Sequence, residues 1–172
     1  MKYIALFIYY SFIQYLPMQP FPGFQIFSRI RFFFVKRIVS NIGENVVIKR
    51  KSYFGDGSQI VVGNNSQLGQ NSRLNGPIRI GSYVMMGPDV IMMAVTHDIS
   101  DHTKYMIDPT NPSIEKQIII GDNVWIGTRV IILPGVEIGN NCIIGSGAVV
   151  TKSFPNNCVI GGVPAKILKL RK

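Results

Sequence analysis

The two histidines of the chain, His97 and His102, lie five residues apart in a segment that also contains Asp98 and Asp101. Histidine is the side chain best suited to accept a proton near neutral pH, and a neighbouring carboxylate can orient its ring. Since His97 follows directly on a regular stretch of sequence, we predict that it is a general base. His102 is interpreted as a solvated loop residue, and Asp98 or Asp101 as the carboxylate that orients His97.

Other catalytic chemistries find little support in the sequence. Two histidines cannot supply a three-histidine zinc site, so no metal is expected. The sequence motifs of serine hydrolases, P-loop proteins and dinucleotide-binding proteins are absent. A direct transfer reaction aided by one base therefore fits better than metal or covalent catalysis.

The element that must position His97 is a repeat of six residues. This period matches neither an α-helix nor a flat strand, and it predicts a solenoid with one inward apolar residue per short strand. The expected fold class is an all-β solenoid over residues 42–165, of about five turns, with N-terminal helices and a short C-terminal helix. The repeating residues are Ile42, Ile48, Phe54, Val62, Leu68, Leu74, Ile80, Met86, Met92, Ile120, Ile126, Ile132, Ile138, Ile144 and Val150.

Two details of the repeat refine this prediction. A glycine often follows the repeating residue, and we expect a tight bend there that leaves little room for a Cβ. The fifth position of each repeat is small or β-branched and should also face the core. This position includes Cys142, which is interpreted as a small apolar residue and not as a nucleophile.

The repeat is interrupted twice. Phe54 and Val62 are eight residues apart, which indicates a two-residue insertion. The larger interruption separates Met92 from Ile120, and a loop over about residues 93–119 is expected to leave the coil there. Loops that leave a rigid scaffold are common locations of catalytic residues, and His97 lies at the start of this one.

Positive charge is concentrated at the two ends of the chain, whose net charge is +9. Basic ends could bind a polyphosphate ligand, anionic lipid or nucleic acid. Nucleic acid is the weakest of these partners, because the repeats lack an aromatic and basic stripe that could stack bases. Residues 166–172 form a basic C-terminal tail, and residues 1–51 carry one acid, Glu44, against eight cations: Lys2, Arg29, Arg31, Lys36, Arg37, Lys49, Arg50 and Lys51.

Residues 1–41 form an apolar and basic segment that we expect to be helical. Its continuous apolar run, residues 3–16, is too short to span a bilayer, and no signal-peptide cleavage site follows it. A second helix is predicted over residues 24–39, with Phe27, Ile30, Phe34 and Ile38 on one face. These helices could pack on the solenoid or on a neighbouring subunit, which we favour, or lie on a membrane surface.

Several ordered motifs resemble those of the hexapeptide-repeat acyltransferases. The resemblance covers about residues 42–170, and its pattern is most like the sugar O-acetyltransferases of the maltose, galactoside and nodulation-factor type and their relatives in polysaccharide biosynthesis. The matching segments are Thr96-His97, Asn123–Gly127, Ile132–Val136, Ile144–Lys152 and Gly162–Lys166.

This resemblance implies a left-handed parallel β-helix that forms a homotrimer, with active sites between subunits and acetyl-CoA along the C-terminal turns. His97 matches the catalytic histidine, which takes the proton from an acceptor hydroxyl as that oxygen attacks the thioester. Lys166 and Lys169 match basic residues near the coenzyme A phosphates, for which lysine is a suitable point charge. The other positions that match cofactor contacts are Trp125, Thr128, Ser146, Thr151 and Lys152.

The acceptor is less well specified by the resemblance. Asn75 stands where the sugar acetyltransferases have an acidic acceptor contact, and Gln67 where they have asparagine, so both are polar candidates for binding hydroxyls. The implied function is acetyl-CoA-dependent O-acetylation of a saccharide, free or linked to a lipid or nucleotide, in surface polysaccharide biosynthesis. The alternatives are N-acetylation of an amino-sugar nucleotide, acetylation of serine or an antibiotic, and a non-catalytic β-helix scaffold. The expected location is the cytoplasm, with the inner face of the membrane as a more specific alternative.

Overall fold

The structure, a computed structural model, describes residues 1–109 and 112–171. Residues 110–111 of the predicted loop and Lys172 of the basic tail lie outside the described residues. Two helices, α1 (Lys2–Ser11) and α2 (Phe24–Val35), precede the strands. The strands are β1 (Asn41–Ile42), β2 (Val47–Ile48), β3 (Ile60–Val62), β4 (Gln67–Leu68), β5 (Arg73–Asn75), β6 (Ile78–Ile80), β7 (Met85–Met86), β8 (Ile91–Met93), β9 (Val95–His97), β10 (Ser113–Glu115), β11 (Ile118–Ile120), β12 (Trp125–Ile126), β13 (Ile131–Ile132), β14 (Glu137–Ile138), β15 (Ile143–Ile144), β16 (Val149–Val150), β17 (Cys158–Gly161) and β18 (Lys166–Leu170).

Most of these strands stack into three parallel sheets that form the walls of a coil. The first sheet has the order β1-β3-β6-β11-β14, and the third has the order β5-β8-β13-β16. The second sheet has the order β2-β4-β7-β12-β15-β17, with β18 added antiparallel at its end. This arrangement confirms the predicted all-β solenoid, and it is consistent with the left-handed β-helix that the resemblance implies.

The axis of the coil is filled by the residues of the six-residue repeat. Leu68, Leu74, Ile126 and Ile132 are fully buried, and the remaining repeat residues have less than a tenth of their surface exposed. Most of the small residues at the fifth positions are buried as well, including Cys142, whereas Thr96 is half-buried. Because each strand is only two or three residues long, one inward side chain per strand is enough to form a continuous core.

The corners of the coil depend on backbone conformations that few residue types tolerate. Asn123, Asn141 and Asn157 all adopt positive φ angles, between 54° and 61°, a region in which asparagine is enriched. Their side chains also form a ladder, in which the Nδ2 group of Asn123 donates to Asn141 at 2.9 Å and that of Asn141 to Asn157 at 3.0 Å. A Cβ at Gly69 would overlap the carbonyl oxygen of Gly87, which confirms the steric reason for glycine at this corner.

The N-terminal helices pack on the first turn of the coil. Tyr9 is fully buried, its hydroxyl donates to the carbonyl oxygen of Ser52 at 2.9 Å, and its ring lies 5.1 Å from that of Phe54. The neighbouring hydroxyl of Tyr10 donates to the carbonyl oxygen of Gly55 at 2.8 Å. Neither this pair of helices nor any other described helix is long and apolar enough to cross a bilayer.

The second helix differs from its prediction in length and in its buried face. It ends at Val35 instead of residue 39, and Phe27, Ile30 and Phe34 are only half-buried, whereas Ile38, which follows the helix, is buried as predicted. The buried side chains of α2 are Arg31 and Val35. The guanidinium of Arg31 donates to the carbonyl oxygens of Ile48 and Leu16. These hydrogen bonds hold the cation inward, on a face of the helix that the apolar pattern did not predict to be buried.

Two further predictions about the coil are corrected by the structure. The second sheet stacks six parallel strands, so the coil has more than the five turns expected. The additional turn is two residues shorter than the others, since Ile144 pairs with Ile160, and it therefore falls outside the six-residue step. The predicted C-terminal helix is wrong, because the free edge of β17 offers hydrogen-bond partners that make Lys166–Leu170 a strand.

Candidate active site

His97 lies in an antiparallel hairpin, β9–β10, that leaves the coil after the third sheet. It is the last residue of β9 and pairs with Ser113, while Val95 pairs with Glu115. The His97 side chain is exposed, although its backbone is held by a strand. This placement leaves the imidazole open to a substrate while restricting the position of its Cα.

Main-chain hydrogen bonds anchor the base of the hairpin in the coil. The buried Ala94 donates its N–H to the carbonyl oxygen of Asn75 at 2.8 Å and accepts from the N–H of Lys116 at 2.8 Å. Asn75, a candidate for binding the acceptor substrate, is the last residue of β5. It therefore lies beside the segment that leads to His97. The hairpin therefore extends from a rigid wall rather than from a flexible junction.

The two carboxylates predicted to orient His97 are engaged elsewhere in the loop. Asp98 accepts from the N–H of Ser100 at 2.9 Å, and Asp101 accepts from the hydroxyl of Thr103 at 2.6 Å and from its N–H at 3.0 Å. These hydrogen bonds hold the pKa of each carboxyl below its usual value. Within the described residues no hydrogen bond or ion pair joins either carboxylate to His97, and its orientation by Asp98 or Asp101 stays a prediction.

Glu115 is an acidic residue on the same face of the hairpin as His97, and sequence reasoning missed it. Alternate residues of a strand share a face, and so do directly paired residues, so the pairing places Val95, His97 and Glu115 together. The Glu115 carboxylate accepts from Nε2 of Gln59 at 2.8 Å. A cavity of about 90 Å³ is lined by Glu115, Val95 and Asn75. Only the strand register places Glu115 on the same face as His97, and the sequence alone does not reveal this register.

A straight row of outward side chains crosses the second sheet. It contains residues predicted to contact the acceptor and residues predicted to contact acetyl-CoA. The strand register aligns Val47, Gln67, Met85, Trp125 and Ile143 in that order. Neighbouring strands are about 4.8 Å apart, so the acceptor candidate Gln67 and the cofactor candidate Trp125 are separated by roughly 10 Å. Half of the Trp125 surface is exposed, which leaves an aromatic face available to a ligand.

Thr128 and Ser146 occupy equivalent corners of consecutive turns. The N–H of Thr128 donates to Oγ of Ser146 at 3.2 Å, and Ser146 is exposed. Both follow strands of the second sheet, so they extend the row that contains Trp125 toward its corner. The structure thus places these three cofactor candidates on one side of the coil.

The cationic cofactor candidates lie on the later turns with their charges exposed. Thr151 and Lys152 follow the last strand of the third sheet, while Lys166 and Lys169 are on β18. The ion pairs within the described residues involve Lys2 and Lys104, so none of these three lysines has a carboxylate partner. They are therefore available to an anionic ligand such as a phosphate group.

The two cysteines are unsuited to nucleophilic catalysis. Cys142 and Cys158 are fully buried, and their sulfur atoms lie 3.4 Å apart. Burial raises the pKa of the Cys158 thiol to about 12, so a thiolate is scarce at neutral pH. Their position agrees with the interpretation of Cys142 as a core residue.

Within one protomer the candidate residues lie in two separate groups, one near the His97 hairpin and one along the second sheet. His97 and Asn75 belong to the third sheet and its hairpin, and Thr151 and Lys152 follow the last strand of that sheet. Gln67 and Trp125 belong to the second sheet, and Thr128 follows one of its strands. In the described part of the chain, no hydrogen bond or ion pair links His97 to any cofactor candidate. Over the same residues, no cluster of three histidine, cysteine, aspartate or glutamate side chains could hold a metal ion.

Comparison with known proteins gives these groups a context. Residues 117–152 match the family model described as bacterial transferase hexapeptide (six repeats). The galactoside O-acetyltransferase of Escherichia coli K12 is 34% identical over 137 residues, which cover 78% of this chain and 66% of the relative. The chain thus spans about two thirds of the length of that relative. An acetyltransferase homologue of Dictyostelium discoideum is 41% identical over 140 residues, covering 78% of this chain and 70% of its own length.

The solved structures include one with a ligand of direct interest. A galactoside acetyltransferase in complex with coenzyme A superposes with a TM-score of 0.71 at 29% identity, covering 99% of this chain and 80% of the other. The fold, the repeats and these relatives together show that the chain belongs to the hexapeptide-repeat acyltransferase family.

Proposed function

We propose that this protein is an acetyl-CoA-dependent O-acetyltransferase that acts on a hydroxyl group of a saccharide. The observation that carries the proposal is the exposed His97, which pairing with Ser113 holds at the end of a hairpin strand in a chain of this family. The relationship to a galactoside O-acetyltransferase supports a sugar acceptor. A non-catalytic scaffold would have no need of an exposed histidine and unpaired lysines together.

In the proposed reaction His97 acts as a general base. Its neutral imidazole takes the proton from an acceptor hydroxyl while that oxygen attacks the carbonyl carbon of the acetyl thioester. A carbon–oxygen bond forms, the carbon–sulfur bond breaks, and the thiolate of coenzyme A leaves and becomes protonated. No acyl-enzyme is required, which agrees with the burial of both cysteines.

Acetyl-CoA is proposed to bind on the C-terminal turns. The half-exposed ring of Trp125 would contact the extended part of the cofactor, and Thr128 and Ser146 offer polar groups at the same corner. Lys166 and Lys169 would meet its phosphates. The bound coenzyme A in a solved galactoside acetyltransferase supports this cofactor.

We propose that a homotrimer completes the active site. One protomer holds His97 on the hairpin of the third sheet, whereas Trp125, Lys166 and Lys169 lie on the second sheet, so a site between subunits would bring these two groups together. Three protomers of 19.2 kDa each would form the complex. Sedimentation equilibrium gives its mass, and a monomer that retained full activity would contradict this part of the proposal.

The proposed setting is surface polysaccharide biosynthesis in the cytoplasm, at the inner face of the membrane. The helices support this setting, because Ile4 and Phe7 of α1 and Ile26 of α2 each expose more than half of their side chains. Cations near these helices could meet anionic phospholipid. Flotation with anionic vesicles tests the contact, and an Ile4→Ser/Phe7→Ser variant should lose it if the proposal is correct.

A thiol-release assay with acetyl-CoA and a panel of acceptors tests the activity. The panel contains free sugars, nucleotide-linked sugars, amino-sugar nucleotides and serine, so it separates O-acetylation from the alternative transfers. His97→Ala should lower kcat/KM by about 100- to 10,000-fold, the usual contribution of a general base. His102→Ala, which removes the other histidine, should leave the rate unchanged.

The same assay can contradict the proposal in two ways. Full activity of the His97→Ala variant would exclude His97 as the base. Acetylation restricted to amino groups would replace the hydroxyl acceptor by an amine while leaving the family and the cofactor in place.

A further inference from the structure

Arg31 of α2 is buried to 98% between the helix and the first turn of the coil. Its Nε donates to the carbonyl oxygen of Ile48 at 2.8 Å, and its Nη1 donates to the carbonyl oxygen of Leu16 at 3.0 Å. These hydrogen bonds fix the guanidinium and tie the segment before α2 to the coil. They do not neutralise its charge.

The buried charge of Arg31 has no carboxylate partner among the residues that the structure describes. Its third nitrogen, Nη2, makes no hydrogen bond to the described protein and is not sealed from solvent. Removing a cation from water without a counterion is costly, and burial lowers the pKa of the Arg31 guanidinium. An anion at this position would offset that cost.

A cavity of about 170 Å³ lies against Arg31. Its lining also includes Lys49 and the polar side chains of Gln19, Ser28 and Gln67. We call this space the α2 cavity.

A second cavity of about 370 Å³ shares Met18 and Gln19 with the α2 cavity and adds Arg50 and Gln70. The lining of the two cavities contains three cations and no carboxylate. A basic cavity with several amide groups is suited to an anion that also carries hydrogen-bonding groups.

The α2 cavity also lies at the end of the outward row of the second sheet. Val47 and Gln67 line the cavity, and the same row continues through Met85 to Trp125. The nearest lining residue of the cavity in this row, Gln67, is therefore two strands away from the proposed cofactor contact Trp125, on the same wall of the coil. A ligand held at Arg31 would approach the wall from the side opposite to the C-terminal lysines.

We propose that the α2 cavity binds a phosphoryl group, and that this group belongs to the acceptor. The acceptor would then be a saccharide linked to a phosphate or pyrophosphate. The assignment to the acceptor rests on the proposed acetyltransferase function, whereas the binding of a phosphoryl group does not. Arg31 and Lys49 contact the phosphoryl oxygens, and Gln67 contacts the part of the ligand that faces Trp125.

Isothermal titration of the full-length protein with inorganic pyrophosphate tests the site directly. Replacement of the buried Arg31 would endanger the fold, so the test uses Lys49→Gln/Arg50→Gln, which changes the rim of the cavities. The matched control is Arg29→Gln/Lys36→Gln, which removes one arginine and one lysine outside them. We expect the rim variant to bind pyrophosphate at least tenfold more weakly, and the control to bind as the unmodified protein does.

Absence of pyrophosphate binding to the unmodified protein would overturn the proposal. Equal weakening of binding in both variants would also overturn it, since the binding would then be only nonspecific attraction to a basic protein. Saturating coenzyme A should not displace pyrophosphate from the α2 cavity. Displacement would assign the site to the cofactor and overturn its assignment to the acceptor. An absence of acetyltransferase activity would not affect the titration, so the two proposals fail separately.

Uridine diphosphate and farnesyl pyrophosphate, titrated in the same way, distinguish two sources of the phosphoryl group. Tighter binding of the first would indicate a nucleotide-linked sugar, and tighter binding of the second a lipid-linked one. A tenfold loss of either affinity in the rim variant supports the cavity as its site.

Discussion

In the coil, the buried position of each strand is apolar, whereas the N-terminal cap of α1 and α2 buries a cation and exposes large apolar side chains. Ile132 of the coil is fully buried, while Ile26 of α2 exposes 61% of its surface. Arg31 of the same helix exposes only 2%. The inward positions of the coil strands therefore follow the rule of apolar burial, and the cap departs from it in both directions.

The difference indicates that the two regions serve different purposes. A coil built of similar stacked turns gains stability from each buried aliphatic side chain. A helix that hides a cation and exposes aromatic groups gives up part of that stability, and such departures are expected where a protein binds something. The predictions below test this contrast, beginning with the largest effect.

Substitution of a buried coil residue should have the largest effect. Ile132→Ala removes a fully buried side chain, so we expect a loss of about 2–5 kcal/mol in the free energy of unfolding. Ile26→Ala on the exposed face of α2 should change it by less than about 0.5 kcal/mol. Urea denaturation measures both. Equal losses would mean that the cap is packed against something as tightly as the coil.

The next effect concerns two glycines within the coil. Gly69→Ala would place a Cβ against the main chain of Gly87, and we expect a loss of about 3 kcal/mol. At Gly147 a Cβ would meet nothing within 4 Å, so Gly147→Ala should cost only about 1 kcal/mol, for its φ of 73°. Thermal unfolding compares the two variants. A smaller loss at Gly69 than at Gly147 would contradict the tight stacking of these corners.

A smaller effect is expected where the cap meets the coil. Tyr9→Phe removes the hydrogen bond to Ser52 and should cost about 1 kcal/mol at neutral pH, whereas Tyr3→Phe, on an exposed side chain, should cost nothing measurable. Burial raises the pKa of Tyr9 above its usual 10.0. The contribution of the neutral Tyr9 hydroxyl to the stability of the fold is therefore complete below pH 10, and it is lost as the pH rises further.

Denaturation at a series of alkaline pH values measures this pH dependence. The Tyr9→Phe variant should lose less stability than the unmodified protein between pH 9 and pH 11. A parallel decline in both proteins would show that Tyr9 does not contribute to the alkaline loss.

The smallest effect concerns the exposed cations of the last turns. Lys166→Ala should raise the KM for acetyl-CoA by about two- to fivefold, because an exposed charge contact is worth about 0.5–1 kcal/mol. Lys36→Ala, which removes a cation from the cap, should leave this KM unchanged. Steady-state kinetics with varied acetyl-CoA tests both. A rise in KM for Lys36→Ala alone would place the cofactor at the other end of the coil.

The coil was predictable from the sequence because each strand contributes one inward side chain at a fixed step of six residues. The last turn departs from that step, since Phe154 pairs with Ile138 only sixteen residues earlier. The C-terminal strand could not be predicted either, because its partner is the open edge of β17. An edge of this kind is a property of the assembled sheet and leaves no periodic signal in β18 itself.

The candidate site shows the same division. His97 could be selected from its residue type and its place at the end of a repeat, and the structure puts it on a strand. Glu115 could not, because its nearness to His97 depends on the register of a hairpin that closes over more than ten residues. The burial of Arg31 could not be predicted for a similar reason, since the carbonyl groups to which it donates come from Leu16 and Ile48, outside its own helix.

The two ends of the coil have a consequence for the behaviour of the protein in solution. The first turn is covered by α1 and α2, and the last strand of the second sheet is covered by the antiparallel β18. An uncovered end of a parallel coil presents unpaired main-chain groups that match the opposite end of another molecule. The helices and β18 thus cap the coil and hinder end-to-end polymerisation into fibres.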